Sequence, residues 1–65
     1  MEKHYKVKML LETGAFSTLE ISKKLQIADP RSCIRVLRSL GVPVEDFWLK
    51  NSDGVRYKKY FIKYV

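Results

Sequence analysis

Apolar residues first fall at helical spacing where Val7, Leu10 and Leu11 follow one another, with Tyr5 and Met9 on the flanks and Gly14 as a natural stop. A first helix is therefore expected over residues 3–13. The next apolar set, Leu19, Ile21 and Leu25, begins inside the tetrapeptide Ser17-Thr18-Leu19-Glu20. Ser17 can accept from the amides of the coming turn while Glu20 reaches back, which is the reciprocal capping pair, and Phe16 in front is placed as a hydrophobic staple. A second helix is expected over Thr18–Leu25, with Leu19, Ile21 and Leu25 available to the core. Only a tight turn then fits before Asp29, a capping residue, and Pro30, whose missing amide hydrogen costs nothing at a first helical position. The third helix is expected over residues 30–40, stopped by Gly41. On it Pro30, Ile34, Leu37 and Gly41 form one stripe, flanked by Cys33 and Leu40, and this is the expected core side.

The pattern then changes. Residues 44–49 and 55–64 are two β-favouring runs on either side of Lys50-Asn51-Ser52-Asp53-Gly54, a segment rich in turn formers, so a hairpin is expected. Its period of two puts Val44, Trp48, Tyr60 and Ile62 on one face and Phe47, Leu49, Tyr57 and Phe61 on the other. Both faces are apolar. The first should pack on the helices and leave the second exposed as a candidate partner interface, unless a bulge shifts the register. The fold class is α+β, mainly α: three helices followed by a β-hairpin wing, with the second and third helices forming a helix-turn-helix.

Length changes this picture little, because 65 residues is room for one small domain, residues 1–65. Charge changes it more. The chain carries +6 at neutral pH, and a polyanion, nucleic acid by default, is the expected partner. Residues 1–29 hold five lysines against four acids, whereas residues 30–65 hold eight Lys/Arg against three acids, so the polyanion site belongs mainly to the second half. One cysteine, Cys33, and one histidine, His4, exclude a disulfide framework and a multi-ligand zinc site built from this chain alone. No apolar run approaches the length of a signal core or membrane span, so neither export nor insertion is expected and a cytoplasmic location is.

No catalytic pattern emerges: the serines lack a histidine base, and Cys33 stands where a small buried residue is expected. Glu45 and Asp46 are adjacent on a strand and point to opposite faces, against a carboxylate pair or a metal site. The expectation is a protein that is not an enzyme and needs neither cofactor nor metal.

The segment from Ile34 to Ile62 resembles the small stand-alone winged helix-turn-helix domains common in bacteriophages and mobile elements. Those domains share an Ile-x-x-Leu-Arg-x-x-Gly-x-Pro-Ile/Val pattern, then an aromatic strand and a Tyr-x-Leu/Ile strand. Ile34, Leu37, Arg38, Gly41, Pro43, Val44, Trp48, Tyr60 and Ile62 match it. The resemblance implies DNA binding without supplying a target. Gln26 departs from the glycine that many helix-turn-helix turns carry, so that turn must either avoid positive φ or tolerate its strain.

Helix geometry gives the arginines their roles. Arg31 and Arg35 lie four apart on the side opposite the core stripe, with Ser32 and Ser39 beside them, the side that a helix-turn-helix sets into the major groove. The alternative is that they are solvated surface charges. Arg38 lies nearer the core stripe, which suits packing, bracing of the wing or a phosphate contact better than base reading. Lys50, Arg56, Lys58 and Lys59 surround the hairpin turn, where they would meet the phosphate backbone or a minor groove, or simply guard an edge strand against aggregation. Lys23, Lys24, Ser17 and Thr18 are candidate phosphate contacts from the second helix, or plain surface.

Two functions of different classes remain open. The favoured one is a double-stranded DNA-binding protein, a transcriptional regulator or a recombination accessory factor of a phage or mobile element. The other is a protein-interaction module that uses the aromatic hairpin face to modulate a host or phage enzyme. RNA binding ranks third, since the A-form major groove is too deep and narrow for a helix. A module this small reads few base pairs, so a second copy or a protein partner is expected at that face.

Overall fold

The computed structural model describes residues 2–63. It contains α1 (Lys3–Leu11), α2 (Thr18–Leu25), α3 (Pro30–Ser39), β1 (Val44–Lys50) and β2 (Arg56–Ile62). Three helices followed by an antiparallel hairpin are the winged helix-turn-helix layout. The expected strand residue Tyr64 lies outside the described residues. Among the described residues no helix is long and apolar enough to cross a membrane.

Local chemistry explains each boundary. α1 ends at Leu11, two residues early, because the Thr13 amide and hydroxyl both donate to the Leu10 carbonyl (3.0 and 2.6 Å) and close the turn. Gly14 is not needed as a left-handed stop and does not adopt positive φ. α2 starts as expected: the Glu20 amide donates to Ser17 Oγ at 3.2 Å and the Ser17 amide to Glu20 Oε1 at 3.0 Å. Phe16, just before the cap, packs against the core that holds Ile21, and its backbone exchanges two hydrogen bonds with Tyr60 (2.9 and 2.8 Å). That bridge ties the start of α2 to the free edge of β2.

Asp29 occupies the cap position of α3, but its carboxylate makes no cap bond, contrary to expectation. Its ψ is 83°, whereas Ser17 caps from a fully extended ψ of 165°, so the short side chain is not aimed at the amides ahead. Pro30 sits at the start of the helix as expected, and Ser32 Oγ donates instead to the Asp29 carbonyl at 2.9 Å. At the other end Gly41 (φ 86°) gives its amide to the Arg38 carbonyl and Val42 gives its amide to that of Leu37, the paired bonds of a Schellman stop.

The turn between α2 and α3 takes the strained option. Gln26 is left-handed at φ 55°, ψ 47°. Ser22 holds it there: its carbonyl accepts from the Gln26 and Ile27 amides, and its hydroxyl donates to the Ile27 carbonyl at 2.7 Å. Ile27 is thereby pulled into the core at 4% exposure, a position the helical pattern does not pick out. A non-glycine residue pays roughly 1–2 kcal/mol for this conformation. Gln26→Gly should therefore stabilise the domain by about 0.5–1 kcal/mol after its own entropy loss, read as a rise of a few degrees in Tm. A fall in Tm would mean that the glutamine side chain contributes more than its backbone costs.

Val7, Leu11, Ile21, Ile27, Cys33, Ile34, Leu37, Val44 and Tyr60 form the core, with Leu10, Phe16, Leu25, Val42 and Ile62 packed around it. Two residues expected there are in water: Leu19 is 63% exposed and Leu40 59%. Leu19 projects from α2 about 160° away from Ile21, and Leu40 follows the last turn of α3, where no element covers it. Strand pairing runs Val44 with Ile62, Asp46 with Tyr60, Trp48 with Lys58 and Lys50 with Arg56, so the faces are the expected ones and no bulge intervenes. Trp48 nevertheless is 55% exposed and does not pack beneath the wing. It lies four residues, about 13 Å, beyond Val44, where the hairpin has outrun the helices.

Candidate nucleic-acid interface

The even-numbered face of the hairpin and the arginine side of α3 meet at an angle bridged by Arg38. Its Nε donates to the Val44 carbonyl at 3.2 Å, its guanidinium reaches Asp46 Oδ2 at 3.0 Å, and it lies 5.9 Å from the centre of the Tyr60 ring. Of its three expected roles, bracing the wing is the one the contacts carry. Asp46 also faces Lys58 Nζ at 4.0 Å and so acts as the local counter-ion between α3 and β2.

Arg31 and Arg35 border this brace. With Ile34, Arg38 and Tyr60 they line a shallow depression, and both are exposed. Neither has a hydrogen-bond or ion-pair partner among the described residues. Ser32 and Ser39 lie beside them as expected, but their hydroxyl protons are committed to the Asp29 and Val36 carbonyls (2.9 and 2.6 Å). Toward an anion those serines therefore offer oxygen lone pairs, the wrong polarity.

Beyond the brace the face continues into a cleft of about 560 Å³ between the wing and the helix-turn-helix. Thr18 at the start of α2, Arg31, Trp48, Arg56, Lys58 and Tyr60 contribute to it, and none of its lining residues is acidic. Arg56 Cζ and Lys58 Nζ each lie 4.9 Å from the Trp48 ring centre. Lys50 pairs with Arg56 at the far end of the same face. One continuous surface thus gathers Arg31, Arg35, Arg38, Lys50, Arg56 and Lys58.

Other expected contacts are not brought to it. Lys59 is one residue from Lys58 and so on the opposite face of the strand, where its Nζ pairs with Glu20 Oε1 at 3.5 Å. Ser17 Oγ is occupied as the α2 cap. Lys23 and Lys24 lie about 120–140° round α2 from Thr18, and Lys24 sits over the Phe16 ring at 5.8 Å. The candidate partner face is where it was expected but is less exposed. Phe47 is 39% exposed, Leu49, Tyr57 and Phe61 are half-buried, and the Phe47 and Phe61 rings pair at 5.8 Å.

Trp48, expected to pack on the helices, instead lines this cleft. The available signal was its own face of the hairpin, where Asp46 and Lys50 flank it along the strand and Lys58 and Arg56 lie across it, with Tyr60 the uncharged neighbour on the other diagonal. An apolar residue inside such a set lies outside a core.

The fold shifts the acidity of Glu20. The Ser17 backbone amide holds its carboxyl below the usual carboxylate range, partial desolvation opposes this, and Lys59 adds to the lowering. A depressed folded-state value means that the cap and ion pair stabilise fully above the unfolded-state pKa and are lost as pH falls through the folded-state one. Glu20→Ala should accordingly lower Tm at neutral pH, with the gap to wild type closing as the solution is acidified below the ordinary carboxylate range. A gap independent of pH would assign the effect to helix propensity instead.

The chain matches no protein-family model, no curated protein and no solved structure.

Proposed function

We propose that this protein binds double-stranded DNA, with α3 in the major groove and the wing along the backbone, acting in the cytoplasm as a transcriptional regulator or as an accessory factor in recombination. The observation that carries the reading is the contrast within one helix. Arg38 is spent on structure, while Arg31 and Arg35, on the exposed side of the second helix of a helix-turn-helix, have no partner in the described protein. Unpaired arginines aligned with a groove-entering face suit bidentate contact with guanine, and the cations of the wing suit phosphates. The resemblance to stand-alone winged helix-turn-helix domains of phages and mobile elements supports the same reading. It calls for no catalytic group, metal or cofactor.

A second reading rests on the opposite hairpin face. Phe47 and Phe61 meet there as a tilted ring pair, and Leu19, Val55 and Tyr57 contribute to a groove on that side. That surface suits a second copy of the chain or a protein partner, either alongside DNA binding or in place of it.

Selection of bound duplexes from a random pool at moderate salt tests both readings. An enriched motif is the expected result, and a motif repeated about 34 Å apart or at a multiple of that spacing would add a two-fold assembly. A pool that returns no motif and no salt-sensitive binding would discard the DNA reading and leave the protein-interaction one.

A further inference from the structure

The cleft holding Trp48 is chemically unlike the α3 surface beside it. The chain has a single tryptophan, and the fold leaves it 55% exposed on a two-stranded ribbon, in a cleft lined by cationic and aromatic residues with Thr18 and without an acid. About 560 Å³ falls within the range of sites that enclose small ligands, roughly 300–1,000 Å³. Arg56 and Lys58 rest on the indole, each 4.9 Å from its centre, and Lys58 also faces Asp46 at 4.0 Å. A phosphate is a better partner for both, so an incoming strand would draw the two cations to its backbone and leave the ring face free.

The partner for a flat, free ring flanked by phosphate-binding cations is a nucleobase presented by its face. Intact B-form DNA presents only base edges in its grooves, and the faces are hidden in the stack. Arg31 lines both the α3 depression and this cleft, so a strand leaving a duplex held on α3 passes directly into it. We propose that the cleft between the wing and α3 captures an unpaired base of DNA, stacked on Trp48, so that the preferred ligand is a duplex carrying a single-stranded or locally opened segment. The inference rests on the DNA-binding reading above and specifies the form of DNA.

Three labelled probes of one mixed sequence separate the possibilities: a blunt duplex, the same duplex with a short single-stranded extension, and the same with an abasic extension that keeps phosphates but lacks bases. The natural extension should bind roughly tenfold to a hundredfold more tightly than the blunt end and quench the Trp48 fluorescence, whereas the abasic one should do neither. Trp48→Ala and Trp48→Leu should lose the gain, the ratio of extended-duplex to blunt-duplex affinity falling to about one, and Trp48→Phe should keep part of it. Circular dichroism checks that the variants fold, and the fluorescence of the wild type decides the matter even if one does not.

Equal affinity for blunt and extended duplexes, or equal gain from natural and abasic extensions without quenching, would overturn the stacking proposal and leave duplex binding intact. Binding to the extension alone, with none to the blunt duplex, would support stacking and overturn the duplex reading. Failure of every probe to bind would overturn both.

Discussion

Leu37→Ala should unfold a large share of the molecules at 37 °C. Leu37 is fully buried on α3, among Ile21, Ile34 and Tyr60 in the core, and its carbonyl receives the Val42 amide that stops the helix. Truncating a buried leucine costs about 2–5 kcal/mol, the upper end applying where the surroundings cannot collapse into the space. A domain of this length has only about 3–10 kcal/mol to lose. Each kcal/mol lowers Tm by roughly 4–8 °C at this size, so a thermal melt by circular dichroism should show a drop of at least 8 °C or so. Leu40→Ala, three residues on and 59% exposed, should stay within about 0.5 kcal/mol of wild type. Similar losses from both would mean that Leu40 is covered by something, a second copy being the first candidate.

That pair of leucines marks the limit of what the sequence discloses. Ends of elements were legible where they are written in residues with a local mechanism, and less so at Gly14 and Asp29, whose expected stop and cap bond are not made. Ser17 with Glu20, Pro30, Gly41 and the Asn51–Gly54 turn each act on their own backbone, and each appears at its expected place. Depth was less legible. Helical spacing gives a stripe, but its edges depend on where neighbouring elements run out. Leu40 lies past that limit, and Ile27, in no element, lies inside it, whereas the exposure of Leu19 follows from helical spacing alone, which turns it about 160° from Ile21.

The same distinction applies to the site. Parity along β2 separates Lys58 from Lys59, a consequence of strand geometry visible in the sequence once the strand is granted. Sequence also left Arg38 with three roles and Gln26 with two conformations. The bracing contacts of the one and the conformation of the other come from partners distant along the chain or supplied by a side chain: Val44 and Asp46 for Arg38, Ser22 for Gln26. For Trp48 the charged neighbours on its strand face were a signal in the sequence, but how far the wing extends past the helices is not contained in periodicity.

Replacing Arg31 and Arg35 together should abolish sequence preference while leaving the fold unchanged. Both side chains are exposed and neither anchors any described group, so the doubly substituted alanine variant should melt close to wild type. On the best site from the random pool, each arginine that reads a guanine is worth about 1–3 kcal/mol, and the matching base pair should lose its preference when that arginine is removed. Arg35→Lys separates charge from geometry: lysine keeps the cation but not the planar fork, so affinity for mixed DNA should persist while preference at one base pair weakens. Lys58→Ala should act differently, weakening all sequences alike and reducing the salt slope by roughly one unit, because a phosphate contact releases a counter-ion whatever the base. Arg38→Ala should act differently again. It removes the link from α3 to Val44 and Asp46, so loss of affinity should come with a loosened wing, seen as faster amide exchange in β1. If removing Arg31 and Arg35 weakened every sequence equally, in the manner of Lys58→Ala, α3 would be a backbone contact and base reading would have to come from elsewhere. If it changed nothing, the groove assignment would fall and the aromatic hairpin face would become the functional surface.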